Sequence, residues 1–334
     1  MKLSVCIPTF NRAGHLTNCL EALRVSRERA GIEVEVCVSD NASTDGTRAA
    51  VEAAQKRMPV TYRRNDSNLG IARNIVDAAG MASGEFVWIL GDDDLVLPHA
   101  LATLSGLIDA NPRADYFFVN ASEVDSARVM AAPQPFDTAT LPANLPRFSS
   151  LTSSGPVKFH ELVDPRVSFD FLLGIFLSVF RRSKWVANLD ALDPDAVSDL
   201  RTFAHFDNSA PHLKVFAKAF AHSDAYLQAE PLTACLKGAR AWSPMYPFIK
   251  SVRIVEAVDE YRKNGLPLGR WLRCKNAALD TFLPDLANMF VHRDRSGWAY
   301  IDPLKLVAGN CIFPNFYLSP LYYAARKLKG MVPA

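Results

Sequence analysis

The sequence predicts an α/β fold in which a mixed, mainly parallel sheet is flanked by helices and followed by a helical C-terminal extension. The first 120 residues alternate short β-branched runs with segments of helical periodicity, a pattern typical of β-α-β units. From residue 160 onward the pattern is mostly helical, with one short strand-like run at 175–180. The length of 334 residues and the hydrophobic content of 49% allow a large buried core.

The predicted elements follow one another closely along the first 120 residues. Strands are expected at 3–7, 32–39, 60–64, 85–90 and 116–120, where β-branched and aromatic residues cluster. Helices are expected at 15–29, 47–56 and 71–79, where apolar residues recur at helical spacing, and another begins at Pro98, a favoured first helical residue. Five prolines between residues 130 and 156 predict a long loop after the last of these strands.

The charge distribution divides the chain into two regions. The net charge is +2, but residues 241–334 carry 13 basic and 7 acidic side chains, which leaves 24 and 28 for the first 240 residues. We predict an α/β domain over residues 1–240 and a basic, aromatic, helical region over 241–334. Such a small net charge gives no indication of nucleic-acid binding.

The cysteine pattern and the apolar runs bear on the cellular compartment. The six cysteines are dispersed without a C-x-x-C pair, so neither a zinc site nor a disulfide framework is expected, and a reduced, cytoplasmic setting is the default. No signal peptide is expected at the N-terminus. The longest apolar run, residues 169–180, contains Asp170 and is shorter than the ~20 residues that span a bilayer.

Polar clusters follow three of the predicted strands. They are PTFNR at 8–12, DNASTDG at 40–46 and GDDD at 91–94. In open α/β sheets, functional groups gather at the carboxyl ends of the strands, so we expect the three clusters to converge on one edge.

Three consecutive aspartates, Asp92, Asp93 and Asp94, directly follow a hydrophobic strand. Their mutual repulsion is relieved most easily by a hard divalent cation such as Mg²⁺ or Mn²⁺, which also leaves coordination positions for substrate phosphates. The alternative is a solvated turn that caps the helix beginning at Pro98. The signatures of dinucleotide-binding proteins, P-loop proteins and serine hydrolases are absent from the sequence.

Four motifs together resemble a family 2 glycosyltransferase of the GT-A fold, in the bacterial branch of abequosyltransferase-like enzymes that build surface polysaccharides. They are SVCIPTFNR at 4–12, VSDNASTDGT at 38–47, NLGIARN at 68–74 and GEFVWILGDDDLVLP at 84–98, in the order and at the spacing of the family. FLSVFRRSKW at 176–185 resembles a segment that leads toward the acceptor site. The resemblance implies a nucleotide-sugar-binding half over residues 1–125 and an acceptor-binding half over 126–240.

The resemblance also implies the roles of individual residues. Asp40 would accept a hydrogen bond from the imide N–H of uracil or thymine, and Arg73 would stand near the nucleotide. Asp92 would contact the ribose, and Asp93 would hold the metal with support from Asp94. The full donor-binding set is Pro8, Thr9, Asn11, Asp40, Asn41, Arg73 and Asp92. The family motif often has aspartate where this chain has Gly91.

The implied reaction is an inverting, metal-dependent transfer from a nucleoside diphosphate sugar, with UDP or dTDP preferred, to a saccharide or a lipid-linked saccharide. The family's usual acidic pair is missing at the expected distance, so Asp207 is the preferred general base and His212 the alternative. A helix cap for Asp207 and a packed histidine for His212 are the structural interpretations. A sugar-phosphate nucleotidylyltransferase and a noncatalytic carbohydrate-binding subunit are the rival functions.

The C-terminal region combines its basic charge with an unusual number of aromatic residues. Rings beside Lys and Arg side chains favour a peripheral contact with the cytoplasmic face of a membrane. Packing of the same rings into a helical core is the equal alternative. The aromatic and basic residues concerned are Trp271, Trp298, Phe313, Phe316, Tyr317, Tyr322, Tyr323, Arg326, Lys327 and Lys329.

Overall fold

The computed structural model describes residues 2–238 and 243–328. Its strands are β1 (Leu3–Thr9), β2 (Glu35–Asp40), β3 (Thr61–Arg64), β4 (Phe86–Ile89), β5 (Asp94–Val96), β6 (Ala114–Asp125), β7 (Gly155–Lys158), β8 (Ser178–Arg181) and β9 (Asp224–Lys237). They form one sheet in the order β3-β2-β1-β4-β8-β6-β9-β5, with β7 also paired to β9. The pairings among β1 to β4 are parallel, and β8 is antiparallel to both of its neighbours. The predicted mixed sheet is confirmed.

Helices cover the sheet and form the C-terminal part of the chain. Those before residue 239 are α1 (Ala13–Ala30), α2 (Thr47–Gln55), α3 (Ile71–Gly80), α4 (Ala100–Ala110), α5 (Ser126–Ala131), α6 (Phe159–Leu162), α7 (Arg182–Val186), α8 (Pro194–Val197), α9 (Phe206–Ser209) and α10 (Pro211–Ala219). Those after residue 242 are α11 (Tyr246–Phe248), α12 (Ile254–Lys263), α13 (Leu268–Ala278), α14 (Phe282–Val291), α15 (Pro303–Asn310) and α16 (Pro314–Leu328). None of the helices in these two described stretches combines the length and the apolar character that a transmembrane segment needs.

The expectation of a mostly helical chain beyond residue 160 is wrong for one long strand. β9 runs for 14 residues and pairs with β6 in parallel and with β5 and β7 antiparallel. Pro231 argues against a strand in this segment of the sequence, because proline has no backbone N–H to donate to a neighbouring strand. The β6–β9 register jumps between Gln228 and Thr233, so Pro231 lies where the ladder is interrupted. The short strand β5, which begins at Asp94, was also not predicted.

The C-terminal helices share the main apolar core with the sheet. Phe216 of α10 belongs to the same buried cluster as Tyr261 of α12, Phe282 of α14 and Phe316 of α16. The predicted boundary at residue 240 lies outside the described residues and stays a prediction.

The C-terminal aromatic residues are divided between the core and the surface, and the membrane contact stays a prediction. Phe313 and Phe316 are buried, and Phe313 packs edge-on against Trp271 with 5.7 Å between ring centroids. Tyr317 and Tyr322 are exposed to 62% and 40% on α16. Lys329 lies outside the described residues.

Candidate active site

The three polar clusters converge at one edge of the sheet, as predicted. β2, β1 and β4 are neighbours, so their carboxyl ends lie side by side. The Thr9 hydroxyl donates a hydrogen bond of 2.7 Å to Oδ2 of Asp92. Asn11, in the left-handed conformation with φ of 53°, accepts a 2.8 Å hydrogen bond from the Thr44 N–H. These hydrogen bonds connect the first cluster to both of the others.

The aspartate cluster is buried, and the Arg12 guanidinium forms ion pairs with two of its carboxylates. Nε of Arg12 lies 3.2 Å from Oδ1 of Asp92, and its Nη2 lies 3.0 Å from Oδ2 of Asp93. The pKa of Asp92 is raised to about 7, mainly by burial. The charge of Asp93 contributes to this rise, and the charge of Arg12 opposes it. Arg12 was missed as a site residue in the sequence, although its position in the first polar cluster was a usable signal.

Gly91 leaves room for two of the carboxylates. A Cβ at this position would lie 2.8 Å from Oδ1 of Asp93 and 2.9 Å from Oδ2 of Asp94. The Gly91 N–H also donates a 2.8 Å hydrogen bond to Oδ2 of Asp94. The carboxylates of Asp93 and Asp94 therefore lie against the backbone of Gly91, in space that a side chain at this position would occupy.

A cavity of about 580 Å³ opens beside these carboxylates. Asp93 and Asp94 line it together with polar residues from later in the chain, namely Glu123, Asp170, Ser209, His212, Lys237 and Arg253. The remaining wall is largely apolar and includes Ile75, Phe148, Phe169, Phe176 and Ile254. The size suits a ligand of a few rings.

Two predicted donor residues organise the loop after β2. The Asp40 carboxylate is fully buried, accepts a 2.8 Å hydrogen bond from the Ser43 N–H and a 2.6 Å hydrogen bond from the Tyr62 hydroxyl. Asn41 donates a 2.8 Å hydrogen bond to Asn68. Both side chains hold the loop in place, and the Asp40 carboxylate retains further lone pairs as an acceptor.

Pro8 and Arg73 occupy different surroundings. Pro8 is half-buried in β1, opposite Ser39 of β2. Arg73 is half-exposed on α3, where its Nε donates a 3.1 Å hydrogen bond to Asp77, and it is absent from the residues that line the cavity. In the described residues, Arg73 is thus engaged on the surface of its own helix rather than in the cavity.

The two candidate bases, Asp207 and His212, have different environments. Asp207 is 5% exposed, forms an ion pair with Lys214 at 2.8 Å, and accepts a 2.7 Å hydrogen bond from the Asp193 N–H. It does not line the cavity. His212 does line it. Asp207 is therefore paired within the protein, outside the cavity.

His212 is held by a strained turn of the cavity wall. Phe171 and Leu172 have positive φ angles of 51° and 72°. The His212 Nε2 lies 3.3 Å from the Leu172 carbonyl and 3.0 Å from the Leu173 carbonyl, which makes Nε2 the protonated nitrogen of the neutral ring. Nδ1 is buried and has no hydrogen-bond partner among the described residues. Burial lowers the pKa of His212 to about 4, so Nδ1 carries a lone pair at neutral pH.

Asp170 was also missed in the sequence. It lines the cavity, is 5% exposed, and accepts a 2.9 Å hydrogen bond from the Gly174 N–H. The usable signal was a lone acid inside the longest apolar run, because a buried carboxylate needs a specific reason to be there.

Asp207→Asn is expected to lower stability rather than activity. Removing the charge leaves Lys214 without its partner, and we expect a loss of about 1–3 kcal/mol in the free energy of unfolding, with kcat within twofold of wild type. Urea unfolding and steady-state kinetics measure the two effects. Asp190→Asn, which removes the exposed pair with Lys218, is the control and should change neither quantity. A large loss of kcat in a stably folded Asp207→Asn protein would restore Asp207 as the base.

The donor atoms at this edge suit a hard divalent cation bound together with a substrate. Within residues 2–238 and 243–328, no three His, Cys, Asp or Glu side chains form a complete ligand set. Mg²⁺ is usually held by one or two carboxylates plus substrate phosphates, so a complete protein set is not required. Asp93 and Asp94 place carboxylates over Gly91 at the edge of the cavity, which fits this mode of binding.

The chain is similar to several known proteins. Residues 4–152 match the model of glycosyl transferase family 2. The chain is 28% identical over 282 residues to the abequosyltransferase RfbV of Salmonella typhimurium, covering 79% of this chain and 77% of that protein. Its fold is similar to that of S. aureus TarS residues 1–349 in complex with UDP, with a TM-score of 0.59, 17% identity, and coverage of 98% of this chain and 87% of that one.

A second solved structure has the same fold. It is the mannosyltransferase PcManGT from Pyrobaculum calidifontis in complex with GDP-Man and Mn²⁺, with a TM-score of 0.51, 16% identity, and coverage of 98% of this chain and 86% of that one. The chain thus has the GT-A glycosyltransferase fold, its first 152 residues include a glycosyl transferase family 2 domain, and the protein is a glycosyltransferase.

Proposed function

We propose that the protein is an inverting, metal-dependent glycosyltransferase that uses a nucleoside diphosphate sugar, with UDP or dTDP preferred, in the synthesis of a surface polysaccharide. The observation that carries the proposal is the placement of Asp93 and Asp94 over Gly91, at the edge of a cavity of about 580 Å³. The relative named as an abequosyltransferase supports sugar transfer, and the UDP in the TarS complex supports the donor class. The proposed donor-binding and acceptor-binding halves are residues 1–125 and 126–240.

Asp93 and Asp94 would hold a Mn²⁺ or Mg²⁺ ion, and the Mn²⁺ in PcManGT supports this choice of metal. The ion supplies positive charge that stabilises the departing diphosphate. Arg12 lies between Asp92 and Asp93 and keeps their carboxylates together. Asp92 then remains available to the donor ribose, and Thr9 fixes its orientation.

Gly91→Ala is expected to impair metal binding. The added Cβ meets two carboxylate oxygens at less than 3 Å, so both must shift, and we expect the half-saturating Mn²⁺ concentration to rise about tenfold. Metal titrations of the transfer rate measure the change. Gly106→Ala on α4, where a Cβ would meet nothing within 4 Å, is the control. An unchanged metal requirement in Gly91→Ala would contradict the proposed placement of the ion.

The base of the nucleotide is assigned to the loop that follows β2. Asp40 would accept a hydrogen bond from the imide N–H of uracil or thymine, with Pro8, Asn11 and Asn41 forming its surroundings. The hydrogen bond from the Tyr62 hydroxyl fixes the Asp40 carboxylate in one orientation. Arg73 would reach the nucleotide only by leaving Asp77.

We assign the proton transfer to His212. Its Nδ1 accepts the proton of the acceptor hydroxyl while that oxygen forms a bond to the anomeric carbon. The bond from the anomeric carbon to the phosphate oxygen breaks, and its electron pair leaves with the nucleoside diphosphate. The carbonyls of Leu172 and Leu173 retain the Nε2 proton and keep the ring in place during this step.

The acceptor is proposed to be a saccharide or a lipid-linked saccharide, which would place the protein in the cytoplasm with a peripheral contact on the cytoplasmic face of the membrane. Exposed Tyr317 and Tyr322 on α16, next to the basic residues of this region, support such a contact.

Nucleotide release tests the proposed function. Purified protein is incubated with UDP- and dTDP-sugars, and we expect release of UDP or dTDP only when Mn²⁺ or Mg²⁺ is present. Pyrophosphate release from a nucleoside triphosphate would instead indicate a nucleotidylyltransferase. Binding without any release would indicate a noncatalytic carbohydrate-binding subunit.

A further inference from the structure

A second cavity lies next to the active-site cavity. Its volume is about 350 Å³, and Phe169 and Ile254 line both cavities. Its other lining residues come from the turn at 165–171, from the C-terminal helices and from the π-helical segment before α12, and they are Pro165, Phe171, Lys250, Ala277, Ala278, Asp280 and Arg326. The two cavities are therefore adjacent, and the second lies on the side of α16.

Two cations in this second cavity share one carboxylate. Lys250 lies 3.0 Å from Oδ1 of Asp280, and the Arg326 guanidinium contacts Oδ2 of the same side chain. These three side chains retain one positive charge, and burial raises the pKa of the neighbouring Asp285, whose carboxyl interacts with both Lys250 and Asp280. A guanidinium fork beside an ammonium group suits the oxygens of a phosphate, and the apolar lining suits an alkyl chain attached to it.

The outer face of α16 is apolar and exposed. Phe316 and Ser319 are buried on the inner side, and Arg326 is directed to the second cavity. At 100° per residue, the exposed apolar residues occupy an arc of about 160° with no charged side chain in it. They are Tyr317, Leu318, Leu321, Tyr322, Ala324, Ala325 and Leu328.

We propose that the second cavity binds the phosphate of a lipid-borne acceptor through Lys250 and Arg326, while the outer face of α16 rests on the membrane that carries this lipid. The inference rests on the proposed function, because it assumes a lipid-linked acceptor. The phosphate would sit beside the shared wall, and the saccharide would extend past Phe169 and Ile254 toward His212.

Charge complementarity favours a lipid surface over a protein partner as the occupant. Residues 243–328 contain 12 basic and 7 acidic side chains, which suits anionic headgroups. Tyrosines on an apolar helical face suit the boundary between headgroups and acyl chains. A second copy of this chain would bring the same excess of positive charge to the contact.

Vesicle flotation of the full chain tests the proposal. The vesicles contain phosphatidylcholine alone, phosphatidylcholine with phosphatidylglycerol, or phosphatidylcholine with a long-chain polyprenyl phosphate at the same surface charge. We expect about tenfold tighter binding to the polyprenyl phosphate vesicles than to the phosphatidylglycerol vesicles. The Lys250→Gln/Arg326→Gln protein should lose this preference, and the matched Lys263→Gln/Lys305→Gln protein should keep it.

The outer face of α16 is tested in the same assay. Leu321, 66% exposed, is replaced by Gln, and Val186, 51% exposed on α7, is replaced by Gln as the control. Leu321→Gln should weaken binding to all vesicles at least twofold, and Val186→Gln should leave it unchanged.

Several results would overturn the proposal. They are equal affinity of the wild-type protein for both anionic vesicles, and an equal loss of preference in the Lys263→Gln/Lys305→Gln protein. Dimers that Leu321→Gln abolishes, without vesicle binding, would assign the face to self-association. Metal-dependent nucleotide release, measured on the wild-type protein without vesicles, tests the proposed function separately, so either proposal can fail alone.

Discussion

Asp93→Ala is expected to abolish metal-dependent sugar transfer, with a fall in kcat/KM of about 10³-fold or more at saturating Mn²⁺. The substitution removes one of the two carboxylates assigned to the metal, so the charge on the departing diphosphate loses its stabilisation. The fold should survive, because Asp92 keeps its contacts with Arg12 and Thr9. Removing a like charge beside the buried Asp92 relieves repulsion, so stability should change by no more than about 1 kcal/mol.

Kinetics over a metal titration and thermal unfolding measure the two effects of Asp93→Ala. Glu52→Ala is the matched control, since it removes an exposed carboxylate from α2. Turnover equal to that of wild type in Asp93→Ala would reject the metal assignment. A collapse of stability would instead mean that the carboxylate has a structural role.

His212→Gln is expected to lower kcat by about 10²- to 10⁴-fold, the usual contribution of a positioned proton acceptor. Glutamine retains a polar group near the carbonyls of Leu172 and Leu173 but supplies no basic nitrogen. Because the ring lies in the wall that the second half of the chain contributes, donor binding should be unaffected, with a calorimetric Kd within twofold of wild type.

His99→Gln is the matched control for this substitution. Like His212, His99 lies close to a backbone carbonyl, that of Pro231 at 3.2 Å, but it is outside the cavity. We expect it to leave kcat unchanged. Normal turnover in His212→Gln would assign the proton transfer to another group that lines the cavity, such as Asp170.

The donor side of the site could be predicted from the sequence because its signals are local. The clusters after β1, β2 and β4 each follow a recognisable strand, and parallel strands bring their carboxyl ends to one edge. The observed hydrogen bond between Thr9 and Asp92 joins residues from two of those ends. Arg12 escaped notice because a basic residue near a motif is more often a surface charge, and only its distances to Asp92 and Asp93 identify its role.

The acceptor side could not be predicted in the same way. Asp207 and His212 lie five positions apart, and no periodicity distinguishes a residue that pairs with Lys214 from one that faces a cavity. The strand β9 was hidden by Pro231, since the register jump that accommodates a proline depends on the partner strand β6.

The sequence by itself determined the α/β class, the edge of the sheet where function gathers, and the acidic cluster of the donor side, because hydrophobic periodicity and strand ends are properties of neighbouring residues. Only the tertiary structure decided that His212 rather than Asp207 faces the cavity. Two carbonyls about 40 residues earlier in the chain orient its ring, and burial among distant segments keeps that ring neutral. Contacts of that kind depend on how the chain packs, which no local pattern records.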